Sequence, residues 1–271
     1  MPELPEVETT RRGIEPHVVG QSVTRLVVRN PRLRWRVPAK LEKELAGQTI
    51  ESVTRRGKYL LLATAAGTAI LHLGMSGSLR VVAGTHPADK YDHVDIVLDS
   101  GDCLRLRDPR RFGALLWTRD DPLRHKLLKH LGPEPLGPDF SGEYLYEKLH
   151  GRQRNIRDSL LDSRLVAGIG NIYANEALFA AGIRPTRHAG KISRVQCHRL
   201  IKSIRETLRH ALRAGGTTLR DFRASDGRPG YFQLSLQVYG RAGEPCRTCH
   251  TPIRAKRLGQ RTAFYCPKCQ Q

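Results

Sequence analysis

The chain has 271 residues, enough for two domains with separate cores or one large one. Its apolar fraction of 39% and charged fraction of 27% are ordinary for a globular protein, and no apolar run reaches the ~18 residues of a membrane span. The charge is not ordinary: 46 lysines and arginines face 26 acids, a formal net charge of +20. Such an excess is either spread over a solvated, arginine-rich surface or held near a polyanion, and nucleic acid is the first candidate.

The opening MPELPEVETT lacks the basic, apolar and small-residue order of a signal peptide. Residues 5–19 are predicted to form a helix: Pro5 suits a first helical position, and Glu6 and Glu8 suit the positive end of the helix dipole. Gly13 and Pro16 predict an early end or a break. From Gln21 to Thr118 the pattern is strand-like, and Ser100-Gly101 reads as a hairpin turn. So many short strands in one block predict a sandwich or barrel. A short helix is expected in residues 121–131, stopped by Gly132 and Pro133, and LGPEPLGPD reads as a hinge. Further helices are expected at Ser141–His150, with a serine cap, at Asn171–Ala181, and at Ser193–Ala214. In the last of these Ile201, Ile204, Leu208 and Leu212 share one face.

Four of the six cysteines fall in the last 26 residues, as Cys246-x-x-Cys249 and Cys266-x-x-Cys269 with sixteen residues between the pairs. Each pair can set two thiolates on a tight knuckle, and two knuckles complete a tetrahedron, so one zinc ion is expected rather than a redox pair. With all four positions filled by protein the zinc is structural, and so short a segment depends on it to fold. His250 is surplus to the ligand set; Cys103 and Cys197 read as packing residues.

The N-terminus has its own chemistry. Removing Met1 leaves Pro2 with a secondary α-amine, whose reference pKa of about 8 leaves it partly neutral. A neutral amine can attack a carbon at the aldehyde oxidation level and form an iminium ion. Glu3 stands beside it as a carboxyl able to move protons. Lys58 in GKYLLL, the turns HLGMSGSLR and DPRRFG, and GIGNIYANE are further signals. The last places Asn171 at a helix start behind glycines, where N–H groups can face a phosphate.

These residues together resemble formamidopyrimidine-DNA glycosylase, the bacterial base-excision family for oxidised purines. The resemblance runs the whole length, from PELPEVET through GPEPL, GGTTLRDF, DGRPGYF and QVYGR to QRTAFYC. It implies an α+β chain: an N-terminal β-sandwich carrying the first helix (1–131), a hinge (132–140), a helical helix–two-turn–helix domain (141–232) and a zinc finger (233–271), with DNA between the domains. It also implies a bifunctional glycosylase and AP lyase. Pro2 would attack the sugar C1′, Glu3 would donate the proton for ring opening and base loss, Lys58 would assist β-elimination and Arg261 δ-elimination. Met75, Arg110 and Phe112 would fill the space left by the flipped base. By themselves Met75 and Phe112 would read as packing and Arg110 as surface charge.

Asn171 would clamp phosphate, and the 215–232 stretch would cover the everted base. Tyr91 stands where the family often has a DNA-contacting histidine, and Arg152 and Arg157 where it commonly has lysines. The expected partner is damaged double-stranded DNA, with no obligate protein partner, in a monomer in the bacterial cytoplasm on the nucleoid. Two alternatives are an endonuclease VIII-like enzyme for oxidised pyrimidines and a zinc-ribbon DNA-binding protein without catalysis. The start PELPEV, in place of PEGPEI, favours the purine branch.

Overall fold

The computed structural model describes residues 2–215 and 236–271, so all but Gly215 of the expected covering stretch lies outside the described residues. The chain forms two compact units. The described parts are residues 2–129 and 214–215 in one, and residues 130–213 with 236–271 in the other.

The first unit begins with helix α1 (Leu4–Val18), which buries Leu4, Val7, Ile14 and Val18. The helix runs through Pro16, where a break was expected. Pro16 forfeits only the bond to the carbonyl of Arg12, an exposed position, while full burial of Ile14 and Val18 holds the last turn in place. Eight strands follow: β1 (Val23–Val28), β2 (Ser52–Arg56), β3 (Tyr59–Thr64), β4 (Gly67–His72), β5 (Ser78–Ala83), β6 (Asp92–Leu98), β7 (Asp102–Arg107) and β8 (Ala114–Thr118). They make two antiparallel four-stranded sheets, ordered β1-β6-β7-β5 and β2-β3-β4-β8. Alternating residues such as Leu60, Leu62, Leu71, Ile96, Leu104 and Leu106 share one core with Val7, Ile14 and Val18 of α1. The short helix α2 (Leu41–Leu45), which the sequence pattern did not announce, packs on β1.

The chain crosses between the sheets twice at one end. Residues 73–77 lead from β4 to β5, and residues 108–113 lead from β7 to β8. The crossings run side by side, because His72 pairs with Ala114 and Ser78 with Arg107. The helix expected in residues 121–131 is a single 3-10 turn, Pro122–Arg124. Leu123 is 51% exposed and only Leu128 is buried, so the segment has no apolar face to offset the cost of helix nucleation.

The second unit contains α3 (Gly142–Leu149), capped by the Ser141 hydroxyl, then α4 (Ile156–Leu160), α5 (Asn171–Ala180) and α6 (Arg194–Arg213). A hairpin of β9 (Arg254–Leu258) and β10 (Arg261–Tyr265) completes it. Helix α5 is buried from Ile172 to Leu178 and packs on both α6 and β10. On α6, Leu200, Ile201, Ile204 and Leu208 are buried, and Leu212 is only half-buried. No described helix is long and apolar enough to cross a membrane.

One buried ion pair holds the β6–β7 layer. Arg105, 1% exposed, donates from Nε and Nη2 to the two oxygens of Asp95, each at 2.9 Å. Burial pushes the Asp95 carboxyl up, but the hydrogen bonds from Arg105 and Arg29 outweigh it and hold the group below the usual carboxylate range. Arg105 also donates to the carbonyls of His86 and Pro87, which fixes the loop before β6. Asp95→Ala removes both short hydrogen bonds to that buried guanidinium and leaves it only the Asp92 carboxylate, at 3.6 Å, as an ionic partner among the described residues, so urea denaturation should show a loss of about 3 kcal/mol.

Candidate active site and zinc finger

In the first unit, Pro2 and Glu3 are buried, and Glu3 is 2% exposed. Glu3 is the N-cap of α1 and forms a capping box with Glu6, whose Oε2 accepts the Glu3 N–H at 2.8 Å. The sequence P-E-L-P-E carries this device: Pro5 fixes φ within the first turn, and Glu6 stands three residues after the cap. Glu8 ties the next turn of α1 to β2 by accepting from Arg55 Nε at 3.2 Å as well as from Arg11 and Arg12. Arg55 in turn donates to the carbonyl of Gly57 at 2.8 Å.

Lys58 is not inside a strand, as its sequence surroundings suggested. It occupies the two-residue turn between β2 and β3, where Gly57 takes φ 58° and Arg56 pairs with Tyr59. The Tyr59 ring lies 4.7 Å from that of His72. His72 Nδ1 accepts the N–H of Gly74 at 3.0 Å, which places the ring proton on Nε2. Burial, with the charges of Lys58 and Arg34, pushes the His72 pKa down to about 4, so the ring is neutral at neutral pH.

Met75 lies half-buried on the first crossing, and Arg110 and Phe112 are exposed on the second, with the Arg110 guanidinium 4.8 Å from the Phe112 ring centre. Tyr91 closes the loop before β6: its carbonyl accepts from Asp108 N–H at 3.0 Å, and Lys90 and Arg107 lie over its ring.

In the second unit, Asn171 is the first residue of α5, and its amide donates to the Thr262 carbonyl at 2.9 Å. Arg157, fully buried, donates to Asn171 Oδ1 at 3.0 Å and to the Leu258 carbonyl at 3.1 Å. Burial pushes its pKa down. It therefore joins α4, the start of α5 and the β9–β10 turn. Arg261 is exposed at the first position of β10, directly after that turn. Arg152 is half-buried beyond α3, its backbone bonded to Leu149 and Gly190.

The four cysteines meet as expected. The sulfurs of Cys246, Cys249, Cys266 and Cys269 all lie within 4.8 Å of one another. Cys249 and Cys266 are 3.4 Å apart, and Cys246 and Cys269 3.9 Å. A tetrahedral zinc with bonds of about 2.3 Å separates its sulfurs by about 3.8 Å, so this set fits one zinc and leaves no open position. The knuckles present N–H groups to sulfur, from Thr248 to Cys246 and from Cys269 to Cys266, each at 3.4 Å. Hydrogen bonds from Thr251 pull the Cys249 thiol down to about 6. His250 sits at φ 60° on the first knuckle, outside the cluster, and Cys103 and Cys197 are buried.

One unit is thus a β-sandwich whose first residues are buried at a helix start, and the other a helical unit closed by a four-thiolate finger. Three family models match the chain: the formamidopyrimidine-DNA glycosylase N-terminal domain over residues 1–115, its H2TH domain over 131–223, and the zinc finger found in FPG and IleRS over 243–271. The formamidopyrimidine-DNA glycosylase of Stutzerimonas stutzeri is 58% identical over 271 residues, and that of Nitrosococcus oceani 55% over 270, each covering 100% of both chains. Among solved structures, the MutM (Fpg) protein of Thermus thermophilus is 40% identical with a TM-score of 0.90, over 99% of this chain and 98% of that one. A Lactococcus lactis FPG mutant in complex with a Fapy-dG containing DNA is 37% identical with a TM-score of 0.93, over 100% of both chains. The chain belongs to the formamidopyrimidine-DNA glycosylase family.

Sequence reasoning passed over two groups, the half-buried His72 and the buried Glu176. His72 alternates inconspicuously within a strand. Glu176 had a signal, as the lone acid in the otherwise uncharged NIYANEALFAA. It is 5% exposed and accepts N–H bonds from Gln237, Val238 and Tyr239 at 2.8–3.0 Å, anchoring the segment that leads into the finger.

Because His72 is held near 4 when folded against 6.5 when free, the unfolded chain takes up the proton first. The stability it contributes is complete above about pH 6.5 and is lost as the pH falls toward 4. His72→Asn keeps an acceptor for Gly74 but cannot titrate, so its Tm should fall less than wild type between pH 7 and 4.5. For the finger, much of the small core is cysteine itself (Cys246 and Cys266 with Val238 and Ile253), so metal does the work of a core. Chelation, or Cys246→Ser, should unfold residues 243–271 and abolish binding to damaged DNA while the near-UV circular dichroism of the sandwich persists.

Proposed function

We infer that Pro2 and Glu3 carry the chemistry of this chain, a DNA repair glycosylase that acts on oxidised purines and also cleaves the abasic strand. Glu3 is the single observation that carries the assignment of roles. It is a carboxyl almost without solvent, held at the start of a helix and adjacent in sequence to the residue that becomes the α-amine. With Met1 removed, the neutral Pro2 nitrogen bonds to C1′ and the base departs with the electrons of the N-glycosidic bond. Glu3 supplies the proton that lets the sugar ring open, and the product is an iminium ion at C1′. Loss of a proton from C2′ then expels the 3′ phosphate, with Lys58 on phosphate. A second elimination expels the 5′ phosphate, with Arg261 gripping it through a planar, permanently charged fork. Hydrolysis of the imine frees Pro2.

Met75, Arg110 and Phe112 fill the stack as the lesion leaves it. Asn171, Arg152 and Tyr91 bind the backbone. The enzyme works in the cytoplasm on nucleoid DNA. The endonuclease VIII-like and non-catalytic alternatives are not favoured, since the full-length relatives carry the formamidopyrimidine-DNA glycosylase name.

Glu3→Gln should bind oxidised-purine duplex normally and lose excision, because an amide cannot transfer the proton; near-normal excision would remove Glu3 from its role. Arg261→Ala, at saturating enzyme in a single turnover, should release the base but accumulate strands ending in an unsaturated sugar. A denaturing gel of 5′-labelled DNA separates that end from phosphate, and a wild-type mixture of ends would leave Arg261 as a binding residue only.

A further inference from the structure

We propose that Asp108 is a positioning residue for lesion extrusion: its buried carboxylate fastens the Met75 turn to the Arg110–Phe112 turn, so that the three side chains enter the duplex as one body. The proposal rests on the reading of Met75, Arg110 and Phe112 as the wedge.

Asp108 is 0% exposed. Its Oδ1 accepts from the Ser76 hydroxyl at 3.1 Å, and Ser76 directly follows Met75. The same oxygen accepts the N–H of Arg110 at 3.3 Å, and Oδ2 accepts the N–H of Gly113 at 2.7 Å. One carboxylate thus holds both ends of the second turn and the middle of the first. Its own carbonyl accepts from Arg111 N–H at 3.1 Å and faces His93 Nε2 at 2.9 Å, so the anchor is itself anchored.

The backbones of the two turns touch. A Cβ on Gly74 would stand 2.4 Å from the Phe112 carbonyl carbon and 2.5 Å from the Gly113 nitrogen. Only glycine allows this approach, and Gly74 also takes φ 66°. Arg111 is held at φ 56°, a conformation that persists only where its surroundings over-determine it. The result is a pair of abutting turns presenting Met75 from one crossing and Arg110 and Phe112 from the other.

Rigidity is what a wedge needs. Pushing into a base stack costs unstacking energy, and any ordering of the wedge on insertion adds to that cost. A wedge ordered in advance leaves only the cost of the DNA itself. An asparagine at 108 has one accepting oxygen instead of two, so one of the backbone N–H groups faces an amide N–H instead of an acceptor. Ser76→Ala is the finer cut: it removes the bond between the turns and leaves those of Arg110 and Gly113 intact.

The test measures single-turnover excision at saturating enzyme on two duplexes carrying the same oxidised purine. In one the lesion faces cytosine; in the other it faces an abasic analogue, so that no partner base resists extrusion. Ser76→Ala and Asp108→Asn should lose about tenfold on the paired duplex and less than about threefold on the other. Phe112→Ala, measured alongside, should show the same contrast. Equal losses on both duplexes, or none, from Ser76→Ala would overturn the positioning role when Phe112→Ala does show the contrast. No contrast from Phe112→Ala itself would instead bring down the wedge reading, and the proposal with it. Near-UV circular dichroism of Ser76→Ala confirms that the comparison is made on folded protein.

Discussion

The hydrogen bond from the Glu3 N–H to the Glu6 carboxylate holds down a part of the chain that usually frays. The chemistry proposed for Pro2 and Glu3 requires that the first residues be as well placed as a core side chain. Here the capping box, the proline in the first turn and full burial of Leu4 and Val7 achieve that. Glu8 extends the control by gripping Arg55, which in turn holds the turn carrying Lys58. The first two turns of one helix thus order both the terminus and a hairpin far along the chain.

The same economy governs the second unit. Helices α4 and α5 reach the β-hairpin through polar side chains rather than apolar packing alone. Arg157 spans from Asn171 to the carbonyl of Leu258, and Asn175 accepts the N–H of Phe264 at 2.8 Å. Glu176 holds the segment that leads into the finger. Each of these groups is buried, so each loses heavily if its partner moves. A small finger with little core is thereby fixed both by its metal and by a rigid helix beneath it. Arg261, exposed at the hairpin's first strand residue, inherits that rigidity.

The resemblance and the four-cysteine spacing announced the fold, the metal and the family, because both depend on residues whose chemistry is local. Two thiolates on a knuckle need only x-x between them, and a block of strands needs only alternation, with the resemblance choosing a sandwich over a barrel. Where tertiary packing overrode local pattern, the expectations moved. Pro16 was tolerated because Ile14 and Val18 are pulled into the core, and residues 121–131 failed to form a helix because Leu123 and its neighbours have nothing to pack on. Lys58 stood among strand residues in the sequence, yet the turn geometry of Gly57 puts it at a tip.

By itself the sequence determined a block of short strands, the helices α1, α3, α5 and α6 and the zinc ligands, since each is encoded within a few neighbouring residues, while the choice of a sandwich over a barrel came from the resemblance. Only the tertiary structure decided that the LGMSG and DPRRFG turns are neighbours, because that follows from β4 pairing with β8 and β5 with β7 across long stretches of chain. It also decided which polar residues are anchors. Asp108 and Arg157 look like ordinary charges in the sequence, and only the partners that burial forces on them give each its place; Glu176 stands out in an uncharged run, but its partners come from residues 237–239, far along the chain.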